Sequence, residues 1–309
     1  MIARDGLKRM NEEYKRILDE DVRLVNEAIS RCGELSCSDT PGELVIKAES
    51  YSLLAGGKRI RAALCVEFNR LFGGRIADCC YDVAACLEYI HAFSLIHDDM
   101  PEMDNDPVRR GKPSTHVKFG QNIALLAGDG LSLLPFEIIP KLCENRSIDP
   151  EKAVRLMGTL ASAAGSRGMI MGQALDIHSE GIDCDLDYLI KMSELKTGCL
   201  LKASAVFGAI LAGASKKEEE AASRYAAGVG LAFQIVDDVL DVIGDEKLLG
   251  KPIGSDKRRN KNTFAAILGI DGAMELAKKY TDQAVSAIAS YEGSELLCQL
   301  AQDLMSRNK

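Results

Sequence analysis

The chain has 309 residues, of which 47% are hydrophobic and 27% are charged, as in an ordinary globular protein. This composition excludes an intrinsically disordered chain, a collagen and a coiled-coil fibre. The 38 basic and 46 acidic residues give a formal net charge of −8, which disfavours non-specific binding to nucleic acid but still allows a local basic cluster to bind an anion.

Apolar residues recur at three- and four-residue spacing along the chain, and alternating β-branched runs are nearly absent. The spacing predicts helices over residues 8–31, 42–54, 59–72, 77–99, 120–143, 150–165, 167–178, 185–206, 217–243, 259–268, 271–290 and 293–306. No low-complexity linker divides them, so we predict an all-α protein with one helical domain over residues 1–309. Three stretches, 77–97, 195–211 and 225–243, are apolar on more than one face, which predicts that they are buried in a larger bundle.

The localisation is predicted from the cysteines and from the apolar stretches. The ten cysteines form no CxxC pair, so neither a zinc site nor a thioredoxin-like motif is indicated. The charged N-terminus does not resemble a signal peptide. The most apolar stretch, residues 123–139, is interrupted by Asp129, Pro135 and Glu137, and we predict no membrane-spanning segment. A cytoplasmic protein with free, mostly buried thiols is the simplest interpretation.

Two clusters of aspartate interrupt or end long apolar helices. Residues 97–106 read HDDMPEMDND and residues 234–241 read QIVDDVLD. Asp237 and Asp241 project from one face of a helix, where like charges repel. One such pair alone is typical of a solvated helix end, but two clusters on the most apolar helices favour a bound cation. Carboxylate oxygens suit Mg²⁺, which prefers few protein carboxylates together with the phosphates of a substrate.

Basic residues form matching clusters. Residues 56–61 read GGKRIR, residues 109–112 read RRGK, Lys196 lies on an otherwise apolar helix, and Lys251 lies in a loop bracketed by glycines. Backbone N–H groups at a helix start and the guanidinium fork of arginine both bind phosphate oxygens. Each cluster alone could be a solvated face, and the arginines could pair with nearby aspartates. Taken together, the acidic and basic clusters predict a diphosphate site that holds more than one anion.

These segments resemble those of the trans-isoprenyl diphosphate synthases, the polyprenyl synthetase family that includes farnesyl and geranylgeranyl diphosphate synthases. The resemblance extends from Gly56 to about Thr263 and is closest to the bacterial type of farnesyl diphosphate synthase (geranyltranstransferase). The segments that carry it are GGKRIR at 56–61, DDMPEMD at 98–104, RRGKPSTH at 109–116, MGQALD at 171–176, KTG at 196–198, FQIVDDVLD at 233–241 and GKPIGSDKRRNKNT at 250–263. It implies an all-α bundle around a deep central cavity, usually in a homodimer, with small diphosphates as substrates. It also implies three Mg²⁺ ions per active site, with Mn²⁺ as an alternative metal.

The resemblance also implies a role for each matching residue. The metal ligands would be Asp98, Asp99, Asp104, Asp237 and Asp241, and the catalytic set would add Asp238, Lys196, Thr197 and Gln234. The allylic diphosphate would be bound by Arg109, Lys196, Thr197, Gln234 and Lys251. The diphosphate of isopentenyl diphosphate would be bound by Lys58, Arg61, His91 and Arg110.

The implied reaction is the head-to-tail (1′–4) condensation of isopentenyl diphosphate with dimethylallyl and then geranyl diphosphate. The polar residues suggest no nucleophile–base pair such as Ser–His–Asp, which fits ionisation of the allylic substrate in an apolar cavity that excludes water. A class I terpene cyclase or a squalene-type synthase would also be helical and rich in aspartate, but neither needs the second diphosphate site that GGKRIR predicts. A non-catalytic partner subunit of such a synthase would be expected to lack one aspartate motif, and both are present.

Product length is predicted from the helix that ends near Asp98. Phe93 lies about 7.5 Å back along the axis at a rise of about 1.5 Å per residue, and its side chain leans further toward the N-terminus. An aromatic ring there, with small Ser94 beside it, would form the floor of the cavity, although Phe93 could equally be an ordinary core residue. Because an aromatic residue at this place resembles the farnesyl synthases, we predict farnesyl diphosphate (C15) as the main product and geranylgeranyl diphosphate (C20) as the alternative.

Overall fold

A computed structural model describes residues 2–34, 40–243 and 262–306, and most of these residues are helical. In chain order the helices are α1 (Ile2–Cys32), α2 (Leu44–Leu53), α3 (Ile60–Leu71), α4 (Asp78–Asp98), α5 (Thr115–Phe119), α6 (Gln121–Glu144), α7 (Pro150–Ala164), α8 (Met169–His178), α9 (Leu186–Ser193), α10 (Cys199–Ala212), α11 (Lys216–Ile243), α12 (Phe264–Ile288) and α13 (Glu295–Ser306). A 3₁₀ turn covers Pro41–Glu43 and a π-helical segment covers Glu194–Gly198. The strands of the described part are β1 (Val108–Arg109) and β2 (Lys112–Pro113), which pair antiparallel.

The predicted all-α fold is confirmed, and the differences lie at particular helix boundaries. The predicted helix 185–206 is α9, the π-helical segment and α10, which follow one another without a break as far as Ala212. The predicted break between residues 268 and 271 is a kink at Gly269, whose φ of 70° is left-handed and suits glycine. The β1–β2 hairpin and α5 were not predicted, because elements of two to five residues are too short to show a hydrophobic period.

Helix α4 runs through the middle of the larger hydrophobic core. Its residues between Cys80 and Ile96 are mostly buried, and it packs against α1, α3, α6 and α10. Helix α11 is similarly enclosed by α10 and α12, and the buried hydroxyl of Tyr225 donates a hydrogen bond to the carbonyl of Leu297 at 2.6 Å. The predicted burial of these two helices follows from their all-round apolar character. Both aspartate clusters are therefore carried by helices that the core holds on several sides.

Three described helical stretches are long and apolar enough to cross a membrane when judged by length and composition alone. They are Asp78–Asp98, Gln121–Glu144 and Leu186–Ala212. Gln121–Glu144, which contains residues 123–139, meets this measure despite Asp129, Pro135 and Glu137. The three stretches differ in how much of their most apolar part is buried inside the protein. That share is 72% for Asp78–Asp98 and 61% for Leu186–Ala212, but only 39% for Gln121–Glu144. The first and last are core helices, whereas α6 keeps an exposed apolar face.

The cysteines of the described residues are all free thiols. Cys65, Cys80 and Cys86 are buried, and burial raises the pKa of each of these thiols. A thiol with a raised pKa stays protonated at neutral pH and is a poor nucleophile. These three cysteines therefore act as small core residues.

Candidate active site

Two cavities of similar size lie next to each other within the bundle. One, of about 420 Å³, is the polar cavity, and its lining includes Asp98, Asp104, Arg109, Asp176, Lys196 and Asp237. The other, of about 400 Å³, is the apolar cavity, and its lining includes Phe93, His97, Met169, Ile170 and Ile177. Leu95, Asp98, Lys196 and Thr197 line both. The site therefore has a charged part and an apolar part that adjoin at an aspartate and a lysine.

The first aspartate cluster curls back on itself where α4 ends. The backbone N–H of Asp104 donates to the carbonyl of Asp98 at 2.9 Å, and both residues line the polar cavity. Burial raises the pKa of Asp98 to about 6; the ammonium group of Lys196 opposes this rise and the carboxylate of Asp104 adds to it. A buried carboxyl group that is costly to ionise favours a cation as its partner.

Asp99 is placed differently from its neighbour. Its carboxylate is buried and accepts hydrogen bonds from Nε of Arg109 at 2.9 and 3.1 Å, with a further bond from the Nη2 atom of the same guanidinium. Burial raises the pKa of Asp99, and the guanidinium of Arg109 counteracts that rise. Arg109 lines the polar cavity and Asp99 does not. The structure therefore uses Asp99 to hold Arg109 at the cavity.

The aspartates of the second cluster have three different surroundings. Asp237 lines the polar cavity, and Asp241, one turn later on α11, is buried outside that lining. Asp238 also lines the polar cavity, but its carboxylate is buried and accepts hydrogen bonds from Nε2 of Gln234 at 3.0 Å and from the backbone N–H of Phe264 at 3.0 Å. Asp238 thus ties α11 to the first residue of α12 and orients Gln234.

Lys196 and Thr197 lie in the π-helical segment. Such segments frequently occur at functional sites, because the widened turn redirects side chains. Lys196 donates a hydrogen bond through Nζ to the buried carboxylate of Asp176 at 2.6 Å, and the hydroxyl of Thr197 donates to Oε1 of Gln234 at 3.4 Å. These contacts fix both side chains at the junction of the two cavities.

Helix α8 approaches this segment very closely at Gly172. A Cβ atom at Gly172 would lie 2.1 Å from the backbone nitrogen of Lys196 and 2.5 Å from its Cα. Asp176, one helical turn further along α8, supplies the ion pair to the same lysine. Asp176 belongs to the segment MGQALD, but the sequence predicts no role for this residue, because an ion pair between two helices leaves no periodic signal.

Three of the side chains that were predicted to bind isopentenyl diphosphate, two arginines and one histidine, lie close together. The guanidinium of Arg110 packs against Gly57, where a Cβ would lie 3.0 Å from Nη1, and Arg61 and His91 line the apolar cavity. Burial lowers the pKa of Arg61 and of Arg110. Burial and the neighbouring arginines lower the pKa of His91 well below its ordinary value.

Nε of Arg61 is buried without a hydrogen-bond partner among the described residues. This concentration of positive charge favours an anion.

Lys58 and Arg59 are adjacent but point to different surroundings. Lys58 is exposed. Arg59 is buried and donates hydrogen bonds to Oδ1 of Asn26 at 3.0 Å and to the carbonyl of Leu53 at 2.5 Å. The GGKRIR segment therefore presents Lys58 to the outside, whereas Arg59 anchors the start of α3 to the core.

Phe93 and Ser94 both line the apolar cavity, on the same helix as Asp98. The hydroxyl of Ser94 donates to the carbonyl of His91 at 2.9 Å, so it satisfies its hydrogen bond within α4. Phe93 is half-buried and also packs against the main core. The structure thus assigns Phe93 to the core and to the cavity wall at once.

The polar cavity has the donor set that Mg²⁺ uses. Among the described residues, no three histidine, cysteine or acidic side chains lie close enough to form a ready metal centre. Mg²⁺ does not need one, because it keeps several waters and binds one or two carboxylates together with substrate phosphates. Asp98 and Asp104 on one segment and Asp237 on α11 offer such carboxylates. Lys251, the remaining predicted ligand of the allylic diphosphate, lies outside the described residues.

This chain resembles prenyl diphosphate synthases in sequence. The family model described as polyprenyl synthetase matches residues 43–294. The farnesyl diphosphate synthase of Geobacillus stearothermophilus is 42% identical over 290 residues, which are 93% of this chain and 96% of that protein. A chloroplastic heterodimeric geranylgeranyl pyrophosphate synthase large subunit of Arabidopsis thaliana is 42% identical over 258 residues, covering 82% of this chain and 69% of that protein.

A solved structure extends the comparison to the fold. It is that of a geranyltransferase from Helicobacter pylori complexed with magnesium and isoprenyl diphosphate. It superposes with a TM-score of 0.77 at 28% identity and covers 93% of this chain and 98% of that one. The helical architecture around the two cavities is therefore shared with a protein whose structure contains a metal and an isoprenyl diphosphate.

Proposed function

Because the chain belongs to the polyprenyl synthetase family and is a prenyltransferase, we propose that it makes farnesyl diphosphate. In this proposal it condenses isopentenyl diphosphate head-to-tail (1′–4) with dimethylallyl diphosphate and then with geranyl diphosphate. Geranylgeranyl diphosphate is the second candidate product, since relatives of similar identity include synthases named for either product.

One observation carries the proposal. The polar cavity adjoins the apolar cavity at Asp98, Lys196 and Thr197. An allylic diphosphate is itself divided into a charged head and an apolar tail. Its diphosphate suits the polar cavity, its prenyl chain suits the apolar cavity, and the carbon–oxygen bond between them then lies at the junction.

The roles of the residues follow from this orientation. Asp98, Asp104 and Asp237 would hold Mg²⁺ at the diphosphate, with Asp99 and Asp241 supporting them from outside the cavity lining. Bound Mg²⁺ supplies positive charge that stabilises the departing diphosphate. Arg109 and Lys196 stabilise the same charge from the protein side, and Lys251 is proposed to join them.

The covalent step can be written with these groups. The bond between C1 of the allylic substrate and the diphosphate oxygen breaks, and its electron pair leaves with the diphosphate. The double bond of isopentenyl diphosphate supplies the electrons for the new carbon–carbon bond between its C4 and the allylic C1. A proton is then lost from C2, and the departed diphosphate is the nearest strong acceptor. Thr197 and Gln234 line the polar cavity and are proposed to lie beside the reacting carbons.

The second substrate needs its own anion site. Lys58, Arg61, His91 and Arg110 are proposed to bind the diphosphate of isopentenyl diphosphate. The unpartnered Nε of Arg61 and the crowding of the arginines around His91 support this assignment. Fixing the second substrate beside the allylic cation contributes to catalysis by proximity.

The proposed product length rests on Phe93. Its ring lines the apolar cavity on the helix that ends in Asp98, so a growing chain that extends from the junction meets it. A bulky ring at this distance favours termination at C15.

We also propose that the protein is a cytoplasmic homodimer. The apolar face of α6 supports this assembly, because Leu125, Leu126 and Leu133 are 45%, 50% and 61% exposed. Exposed apolar faces of this kind are typical of protein–protein contacts. A monomeric mass by analytical ultracentrifugation at micromolar concentration would contradict the dimer.

The experiment that tests the function uses the purified chain alone with isopentenyl diphosphate, dimethylallyl diphosphate and Mg²⁺. The products are dephosphorylated and their alcohols are separated by gas chromatography. We expect mainly farnesol; mainly geranylgeraniol would favour the second candidate. No elongation would overturn the proposal and favour a non-catalytic partner subunit, and cyclic hydrocarbons would favour a terpene cyclase.

A further inference from the structure

The apolar cavity contains a histidine that has not been assigned a role. His97 lines this cavity one helical turn after Phe93 on the same face of α4. The two rings make an edge-to-face contact with centroids 5.1 Å apart and planes at 85°, a favourable arrangement for aromatic rings. Nε2 of His97 lies 3.1 Å from the carbonyl oxygen of Leu125 on α6. A carbonyl only accepts, so Nε2 carries the proton of this hydrogen bond.

The imidazole fits between α4 and α6 because residue 128 is glycine. A Cβ atom at Gly128 would lie 2.1 Å from Nε2 of His97 and 2.3 Å from Cδ2. Glycine in the interior of a helix is unfavourable compared with alanine. Its presence in the middle of α6 is explained by this close approach, since any larger residue would occupy the space of the imidazole ring.

From this geometry we infer that Gly128, His97 and Phe93 form one unit that sets the length of the product. The inference rests on the proposed function and deepens it. Phe93 is the floor, His97 braces its ring, and Gly128 provides the space on α6 that keeps His97 out of the cavity. A specificity-determining residue is thus assigned to a helix that carries no part of either aspartate cluster.

The direction of each effect follows from the packing. The imidazole has α6 on one side and the cavity on the other, so a Cβ at residue 128 displaces it toward Phe93 and the cavity. Gly128→Ala should therefore narrow the cavity and shorten the product. His97→Ala removes the brace from Phe93 and adds volume, so it should lengthen the product.

The experiment measures the ratio of C10, C15 and C20 alcohols at fixed substrate concentrations. Gly128→Ala is expected to raise the C10 share and His97→Ala the C20 share, each by roughly tenfold, the discrimination that a change of one or two carbons in an apolar pocket produces. Gly158→Ala is the matched control, because Gly158 is an exposed glycine of α7 with no atom within 4 Å of an added Cβ. It should keep the wild-type distribution.

A double variant keeps the test decisive if Gly128→Ala folds poorly. In Gly128→Ala/His97→Ala the imidazole is gone, so the new methyl group has room, and the product distribution should match that of His97→Ala alone. Unchanged products in both single variants, or a shift of both in the same direction, would overturn this inference while leaving the proposed function in place. A wild-type chain that does not elongate its substrate would overturn both.

Discussion

The polar and apolar cavities adjoin at the same residues, yet they are built on different principles. The polar cavity depends on charges, and several of its polar side chains are held by a named partner: Arg109 by Asp99, Lys196 by Asp176, and the amide of Gln234 by Asp238. The apolar cavity depends on shape, and its key contact is the ring of Phe93 against the imidazole of His97, which lies beside Gly128. Disturbance of the polar cavity should therefore slow the reaction, whereas a change of shape in the apolar cavity should alter its product.

The largest effect is expected from removing a charge in the polar cavity. Asp237→Asn should lower turnover by about a thousandfold, because stabilisation of the leaving diphosphate is lost, while the far-ultraviolet circular dichroism remains that of the wild type. A chelator should abolish wild-type activity and added Mg²⁺ should restore it. Asp303→Asn, on the exposed side of α13, is the control and should be neutral. Full activity of Asp237→Asn would show that charge does not govern this cavity.

A purely steric change beside the polar cavity should have the next largest effect. Gly172→Ala places a methyl group where the backbone of Lys196 lies, so the π-helical segment must shift. A displacement of about 1 Å can cost about a hundredfold in rate, and we expect that loss in kcat without a change in product length. If this variant changes the product instead, the division between the two cavities is wrong.

Removal of Lys58 should separate the two substrates. Lys58→Ala is expected to raise the KM for isopentenyl diphosphate by about tenfold, the typical effect of losing one hydrogen bond to a charged group. The KM for the allylic substrate should be unchanged. Steady-state kinetics with each substrate varied in turn checks this, with Lys216→Ala on the exposed start of α11 as the control. Equal losses for both substrates would contradict the assignment of two anion sites.

The smallest expected effect concerns pH. Because burial raises the pKa of Asp98 to about 6, this carboxyl holds a proton below that pH, and the proton competes with Mg²⁺. Affinity for Mg²⁺ alone should rise with pH and should be roughly fourfold weaker at pH 5.5 than at pH 7.5. Asp176→Asn removes a negative charge near Asp98 and frees Lys196 from its ion pair. Both changes should lower the pKa of Asp98, and with it the pH at which the affinity for Mg²⁺ is half of its maximum. Isothermal titration calorimetry measures this, and a midpoint that moves upward would contradict it.

The sequence predicted the charged half of the site far better than the shape of the other half. The aspartates at 98, 104 and 237 were identifiable because a charge on an apolar helix breaks a periodic pattern. Asp176 was not identified, because its role depends on which helix packs against α8. The same holds for Gly128, because only the position of the imidazole on a neighbouring helix shows why glycine is needed there. The π-helical segment was predicted as ordinary helix, because one extra residue in a turn leaves the composition unchanged.

In the π-helical segment Glu194–Gly198, the position of the side chains depends on the number of residues as well as on their identity. A π turn holds one residue more than an α turn, so deleting one residue here would restore a continuous α-helix. Because the widened turn absorbs the extra residue, α9 and α10 would keep their relative rotation, and the buried side chains of Leu189 and Met192 would keep their core contacts. Only the side chains of the segment itself, Lys196 and Thr197 among them, would be redirected away from the junction of the two cavities. Related chains that lack one residue at this point would therefore share the packing of this helix but not the position of its lysine and threonine.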